Sequence, residues 1–270
     1  MPESIAQNPS APRPAATIIP VRPGVAGLEV FMARRVPGGA FGGVFVFPGG
    51  SVQADDYLPD DADFSEAEAG RGLSERGGTP PADAALARAL YRAAVRELFE
   101  EAGILLARRV SGGPAPGEAP GEVNWESLRA ALQARQTDFA AMLRAGGVVP
   151  DYLQVVYFSH WITPPSEPRR FDTRFFVAAV PSDQVATHAP GELTESLWIS
   201  PAAALARAES GQFPIVFPTR QHMIRLARFS SLSALLDFAG TKMVRTVEAT
   251  REVVDGVVRI HLPEEIKECW

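Results

Sequence analysis

The sequence predicts an α/β sandwich in which a mixed sheet lies between helices. Three observations lead there. Runs dense in Val, Ile and aromatic residues recur at 15–22, 28–36, 152–163 and 170–180, the composition of strands. Residues 82–106, between the two pairs, are rich in Ala, Leu and Arg and read as one long helix. Further helical stretches follow the last strands, so strands and helices are interspersed along the chain.

Taken in order, Met1 to Pro14 is rich in Pro, Ala and Ser and is expected to be disordered. Residues 15–22 and 28–36 form two strands joined by a Pro-Gly turn, and Val44 to Phe47 is a short strand entering Gly49-Gly50. Ser51 to Ala82 reads as a surface excursion, first acidic and then Gly- and Pro-rich, with one helical turn around 65–69. Asp55 and Asp56 within it read as solvated loop acids. The long helix has Asp83 in its first turn and a stripe of Val95, Leu98, Phe99, Ala102 and Leu106, while Gly103 supplies a natural stop. Ser111 to Gly121 is a loop, and Asn124 caps a helix running to about Ala145, closed by Gly146-Gly147. The strands at 152–163 and 170–180 form a long hairpin across Pro164–Pro168, in which His160 reads as a packed histidine rather than a catalytic one. A last short strand, Leu197-Trp198-Ile199, precedes a helix from Pro201 to Ser210 that Gly211 ends. Thr219 to Phe238 reads as one helix. Met243–Glu248 and Val257–Leu262 are expected to pair as an appended hairpin. The domain organisation is then a tail at 1–14, one domain at 15–240 with its insertion at 51–82, and an extension at 241–270 packed on the domain.

Composition narrows the function. A chain of 270 residues, 46% hydrophobic and 21% charged, describes an ordinary globular protein. The net charge of −6 without a basic block argues against nucleic acid as a partner. No run of about 18 apolar residues exists and no leader pattern opens the chain, so neither a membrane span nor secretion is expected. One cysteine, Cys269, permits no intrachain disulfide and fits a reducing cytoplasm. Only two lysines, Lys242 and Lys267, stand among 26 basic residues, a bias that points to a GC-rich bacterial genome.

The chemistry concentrates at Arg96 to Leu106, R-E-L-F-E-E-A-G-I-L-L. Glu97, Glu100 and Glu101, at i, i+3 and i+4, share one side of the helix. Carboxylates at the carbonyl end of a helix cost roughly 0.3–1 kcal/mol each, and their mutual repulsion adds to that. Bound divalent cations would remove the cost, and an all-oxygen site suits Mg²⁺ or Mn²⁺. The alternative is a solvated acidic face with an Arg96–Glu100 pair worth about 0.3–0.5 kcal/mol. A di-iron helical protein would need Glu-x-x-His motifs, and no histidine follows a glutamate at that spacing.

R-E-L-F-E-E-A-G-I resembles the second half of the Nudix box, and Phe47-Pro48-Gly49-Gly50 resembles its opening. Arg96 follows Gly50 by 46 positions where the usual box has 14, an insertion of 32 residues. The position eight before Arg96 is Arg88, so the early glutamate of the standard motif is missing. This interrupted arrangement is similar to the branch that includes peroxisomal coenzyme A diphosphatases. So are Ala40-Phe41, H-W-I-T-P at 160–164, R-F-D-T at 170–173 and F-P-T at 217–219. The resemblance spans roughly residues 15 to 240. It implies a Nudix-type α/β/α sandwich and a metal-dependent hydrolase of a small nucleoside-diphosphate substrate, acting as a monomer or homodimer. It also implies metal ligation by Glu97, Glu100, Glu101 and the carbonyl of Gly50, with Arg96 orienting the glutamates. A further loop glutamate is expected before the Trp198 strand, Glu192 in preference to Glu195. Coenzyme A or its acyl form is the implied substrate, cut to 3′,5′-ADP and (acyl-)4′-phosphopantetheine, with Arg220 and Arg225 as candidate phosphate partners. An ADP-sugar, a dinucleotide or a non-catalytic regulatory role are the alternatives.

Overall fold

Strand β1 (Arg13–Gly24) is the spine of the computed structural model, which describes residues 10–25, 27–38, 42–57, 73, 76–78, 80–111, 123–180, 184–189, 191–255 and 257–267. After it come β2 (Gly27–Arg35), β3 (Phe45–Val46), β4 (Gly49–Ser51) and a 3₁₀ turn at Ala54–Tyr57. Next follow helix α1 (Ala84–Ala102), β5 (Ala107–Arg109), α2 (Trp125–Gln133), α3 (Phe139–Gly146) and β6 (Val148–Pro150). The remainder is β7 (Val155–Ile162), β8 (Phe171–Ala179), β9 (Leu193–Ile199), α4 (Pro201–Glu209), α5 (Phe217–Leu226), α6 (Leu232–Thr241), β10 (Thr246–Glu248), β11 (Thr250–Val254) and β12 (Val257–His261).

Eight strands form one sheet in the order β10-β7-β8-β1-β2-β3, with β4 added to β1 and β9 to β2. β1 runs parallel to β8 and antiparallel to β2 and β4, which makes the sheet mixed, as the sequence predicts. On its other edge β1 serves two partners: Ala15 to Thr17 pair with β4, and Val21 to Gly24 with β2. The glycine pair therefore sits inside the sheet, with Gly49 opposite Thr17 and Gly50 opposite Ala16.

Alternation along the strands feeds two cores, one on each face. Ala16, Ile18, Phe31 and Phe176 pack with Leu90, Val95 and Leu98 of α1. Ile19, Val21, Met32 and Val177 pack instead with Met223, Leu226, Leu235 and Ala239 of α5 and α6. Each fully buried side chain of this kind contributes about 1.5–3 kcal/mol. Asp83 starts α1 by accepting the Leu86 N–H at 2.8 Å, and Gly103, at φ 69°, stops it.

Several boundaries differ from the sequence reading. The long helix ends at Ala102, not Leu106: Gly103 turns the chain left-handed, and Ile104 to Leu106 stay buried on the way to β5. β5 pairs with β6 in a small second sheet that no sequence pattern announced. The single helix expected at 124–145 is two, because Arg135 adopts a positive φ and Asp138 caps α3. The helix expected at 219–238 is also two, with Pro218 in the first turn of α5 and Ser231 capping α6. β10 joins the main sheet parallel to β7, and the appended hairpin is β11 with β12, so 243–248 is not the partner of 257–262. The last strand begins at Leu193, which places Glu195 on it. Of the expected tail, Arg13 and Pro14 belong to β1, and residues 1–9 lie outside the described residues. The helical turn expected at 65–69, the 112–121 part of the loop and Cys269 also lie outside them.

Candidate active site

The last two turns of α1 lie over β4, and this contact builds the site. Gly49 donates its N–H to Glu101 Oε2 at 3.1 Å. A Cβ on Gly49 would come 2.6 Å from the Ala16 carbonyl oxygen, and one on Gly50 would overlap the Glu97 carboxylate. Both positions demand glycine for closeness of approach.

Arg96 organises the acids. Its Nε and Nη2 donate to Asp56 Oδ1 and Oδ2, each at 2.9 Å, a two-pronged bond. Its Nη1 donates to Glu97 Oε1 at 2.8 Å and Glu100 Oε1 at 3.1 Å. Burial works against the charge of Arg96, but the Asp56 bond and the charges of Glu97, Asp56 and Glu100 outweigh it and hold its pKa above the ordinary value. Asp56 is 1% exposed, so the sequence reading of a solvated loop acid is corrected: the 3₁₀ turn folds it under α1.

Two of the acids are poorly compensated. Burial pushes Glu97 up to about 7, opposed by Arg96 and reinforced by Glu100. Burial and the Glu97 charge push Glu101 up to about 8, against the pull of Arg35 and the Gly49 N–H; Glu192 adds to the rise. Arg35 Nη1 stands 3.7 Å from Glu101 Oε1.

These groups open onto a cleft of about 700 Å³. Arg35, Gly49, Gly50, Arg96, Glu97, Glu100, Glu101 and Glu192 line one side, and the turn between α2 and α3, with Gln133, Arg135, Gln136 and Thr137, lines another. The structure thus brings six of the predicted site residues to the cleft, Gly50, Arg96, Glu97, Glu100, Glu101 and Glu192, together with the neighbouring Gly49. Glu195 lies instead on β9, 48% exposed, with Arg34 Nη1 at 3.9 Å. Arg220 and Arg225 are not brought to the cleft. They sit on α5, which packs on the opposite face of the sheet, where Arg220 reaches Glu209 and Arg225 is buried.

Sequence reasoning missed Asp56, Arg35 and the α2 side chains that hold the end of α1. Arg129 Nε and Gln133 Nε2 donate to the Glu100 carbonyl, at 3.1 and 2.6 Å, satisfying a terminal carbonyl of the helix. None of them stood out in the sequence; Asp56 showed only as one of an acidic pair soon after the glycines.

Residues 10–226 match the family model described as the NUDT19 Nudix domain. The chain belongs to the Nudix family. Among curated relatives, this Nudix protein is 27% identical to the acyl-coenzyme A diphosphatase NUDT19 of Gallus gallus, over 88% of this chain and 72% of that one. It is 29% identical to the Homo sapiens acyl-coenzyme A diphosphatase NUDT19, over 94% of this chain and 76% of that one. A crystal structure of a NUDIX hydrolase from Alicyclobacillus acidocaldarius is 28% identical, covers 84% of this chain and 96% of its own, and superposes with a TM-score of 0.67. Nudix hydrolases act with divalent metal ions on small nucleoside-diphosphate substrates.

The residues present fit such an ion. The donors are oxygens only, which suits hard divalent cations. Asp56, Glu97, Glu100, Glu101 and Glu192 outnumber the guanidiniums of Arg96 and Arg35; burial first, and then the neighbouring carboxylates, raise the pKa values of Glu97 and Glu101. Among the described residues no three His, Cys, Asp or Glu groups already converge as ligands, because Arg96 draws Glu97 and Glu100 onto itself. Among the described residues, no helix is long and apolar enough to cross a membrane.

Proposed function

We propose that this Nudix hydrolase is a coenzyme A or acyl-coenzyme A diphosphatase. It adds one water across the P–O–P bridge to give 3′,5′-ADP and (acyl-)4′-phosphopantetheine. The observation that carries the reading is the site itself: a paired-glycine strand under a helix end where Glu97 and Glu100 share the Arg96 guanidinium and Glu101 accepts the Gly49 N–H. The names of the NUDT19 relatives supply the substrate class. Leu132, Phe139 and Ala189 give the cleft an apolar wall for the pantetheine or acyl arm.

Glu97, Glu100, Glu101 and the Gly50 carbonyl would hold Mg²⁺ or Mn²⁺, which supplies positive charge to the phosphoryl oxygens in the transition state. Arg96 keeps Glu97 and Glu100 at fixed separation and lets neither collapse on the other. Glu192 is the distal carboxylate in our reading, because it lines the cleft and adds its charge to Glu101, whereas Glu195 is engaged near Arg34. A carboxylate in this position can accept the proton of the attacking water. We place the enzyme in the cytoplasm, as a monomer or homodimer.

The test compares kcat/KM for coenzyme A, acetyl-coenzyme A and ADP-ribose with Mg²⁺ or Mn²⁺, in wild type and in Glu101→Gln. Coenzyme A or its ester should be cut fastest, and Glu101→Gln should lose most turnover while remaining folded. Fastest cleavage of ADP-ribose would overturn the substrate, and full turnover of Glu101→Gln at saturating metal would overturn the site.

A further inference from the structure

The end of α2 is closed in a way that glycine usually supplies. Arg135 donates its N–H to the Leu132 carbonyl and Gln136 donates to the Ala131 carbonyl, both at 2.9 Å. This double closure puts the residue after the cap in the left-handed region, and Arg135 has φ 55°. A residue with a Cβ pays a steric cost there that glycine avoids. Among the described residues only Arg135 and Asp255 break this rule.

Strain of this kind collects where a side chain is needed. Arg135 lines the same cleft as the box carboxylates. The other arginines of that lining are committed: Arg96 to Asp56, Glu97 and Glu100, and Arg35 to Glu101. Arg135 makes no ion pair among the described residues and is exposed. Its position is also fixed, since Gln133 and Arg129 anchor the end of α2 to the Glu100 carbonyl. Gln136 and Thr137 add polar groups on the same wall.

We propose that Arg135 is a specificity-determining residue, whose guanidinium binds a phosphate monoester of the substrate other than the scissile diphosphate. This rests on the coenzyme A reading, in which that group is the 3′-phosphate of the nucleoside half. A planar fork matches a phosphate dianion better than an ammonium does. The role expected of α5 arginines thereby passes to the α2–α3 turn.

Arg135→Gly is the informative variant, because the structural and functional expectations differ in sign. Relief of the left-handed conformation should leave Tm unchanged or higher. Loss of a charged hydrogen bond should lower kcat/KM for coenzyme A at least about ten-fold, with dephospho-coenzyme A within about two-fold of wild type. Arg135→Lys should recover part of the coenzyme A activity. Equal effects on both compounds, with wild type still preferring coenzyme A, would overturn the assignment of Arg135 and leave the proposed function standing. A Tm several degrees lower would show that Arg135 serves stability, and would also overturn it. If wild type prefers ADP-ribose, the coenzyme A reading fails and the assignment falls with it.

Discussion

At the scale of single residues, the site depends on a contact that bridges 40 positions: Asp56 Oδ1 and Oδ2 with the Arg96 fork. Without Asp56, the buried guanidinium would keep only Glu97, Glu100 and a long bond to the Ser51 carbonyl. Breaking one partner of a buried pair costs about 3–5 kcal/mol, because the other charge stays behind. Asp56→Asn should therefore lower urea stability by that order and reduce kcat, since Arg96 would no longer hold Glu97 and Glu100 in place. Near wild-type values of both would show that Arg96 does not depend on Asp56. The box residues were legible in the sequence because their spacing puts them on one helix face and the R-E-L-F-E-E-A-G-I run, with F-P-G-G upstream, resembles the Nudix box. Asp56 was not legible, because its partner is fixed only when the 3₁₀ turn folds under α1. Arg220 and Arg225 were misplaced for a related reason: sequence proximity to F-P-T says nothing about which face of the sheet α5 covers.

Among elements, the end of α1 is the one on which the chemistry rests. Gly103 turns the chain at φ 69°, and a Cβ there would lie 2.9 Å from Arg129 Nη1. Gly103→Ala should thus cost about 1–2 kcal/mol for the left-handed backbone. It should also push Arg129 from the Thr187 oxygens, 2.9 and 2.8 Å away, and loosen its hold on Glu100. The expected readout is a lower Tm together with a lower kcat; a stability loss with kcat unchanged would separate the helix end from the catalytic geometry. Elements with strong composition, such as β1, β2, β7, β8 and α1, were readable from sequence. The divided helices were less so, because α2 with α3 and α5 with α6 are interrupted by caps, Asp138 and Ser231, inside continuous helical composition. β5 and β6 are three residues each and exist only as a pair, which local propensity cannot reveal.

Across the whole molecule, the sheet separates an acidic, solvent-reaching site on the α1 side from a second core whose polar groups are sealed. On the α1 side, the H-W-I-T-P and R-F-D-T segments meet in register on β7 and β8, where His160 Nε2 lies 2.6 Å from Asp172 Oδ1 and Arg174 bonds both Asp172 and the Pro80 carbonyl. His160 is a hydrogen-bonded core histidine, in keeping with its sequence reading. In the second core, His222 is fully buried on α5: its Nδ1 donates to the Pro218 carbonyl at 2.7 Å, so its Nε2 accepts from Ser159 Oγ at 2.7 Å. Burial depresses His222 to about 3, and Lys242 and Arg225 add to the fall against the Pro218 bond. A histidine whose folded pKa lies below its unfolded value near 6.5 gives stability that is present above 6.5 and lost as pH falls toward 3. At about 1.4 kcal/mol per unit, His222 alone should remove roughly 3 kcal/mol between pH 6.5 and 4. His160, lowered by burial against the Asp172 bond, acts in the same direction. Glu97 and Glu101, raised, act in the opposite one. The measurement is therefore a difference: urea stability of wild type minus His222→Gln at each pH. The variant should be less stable at pH 8, for loss of the buried bonds, yet fall less steeply from 6.5 to 4, so the two curves converge. Parallel curves would show that His222 does not carry the acid sensitivity of the second core.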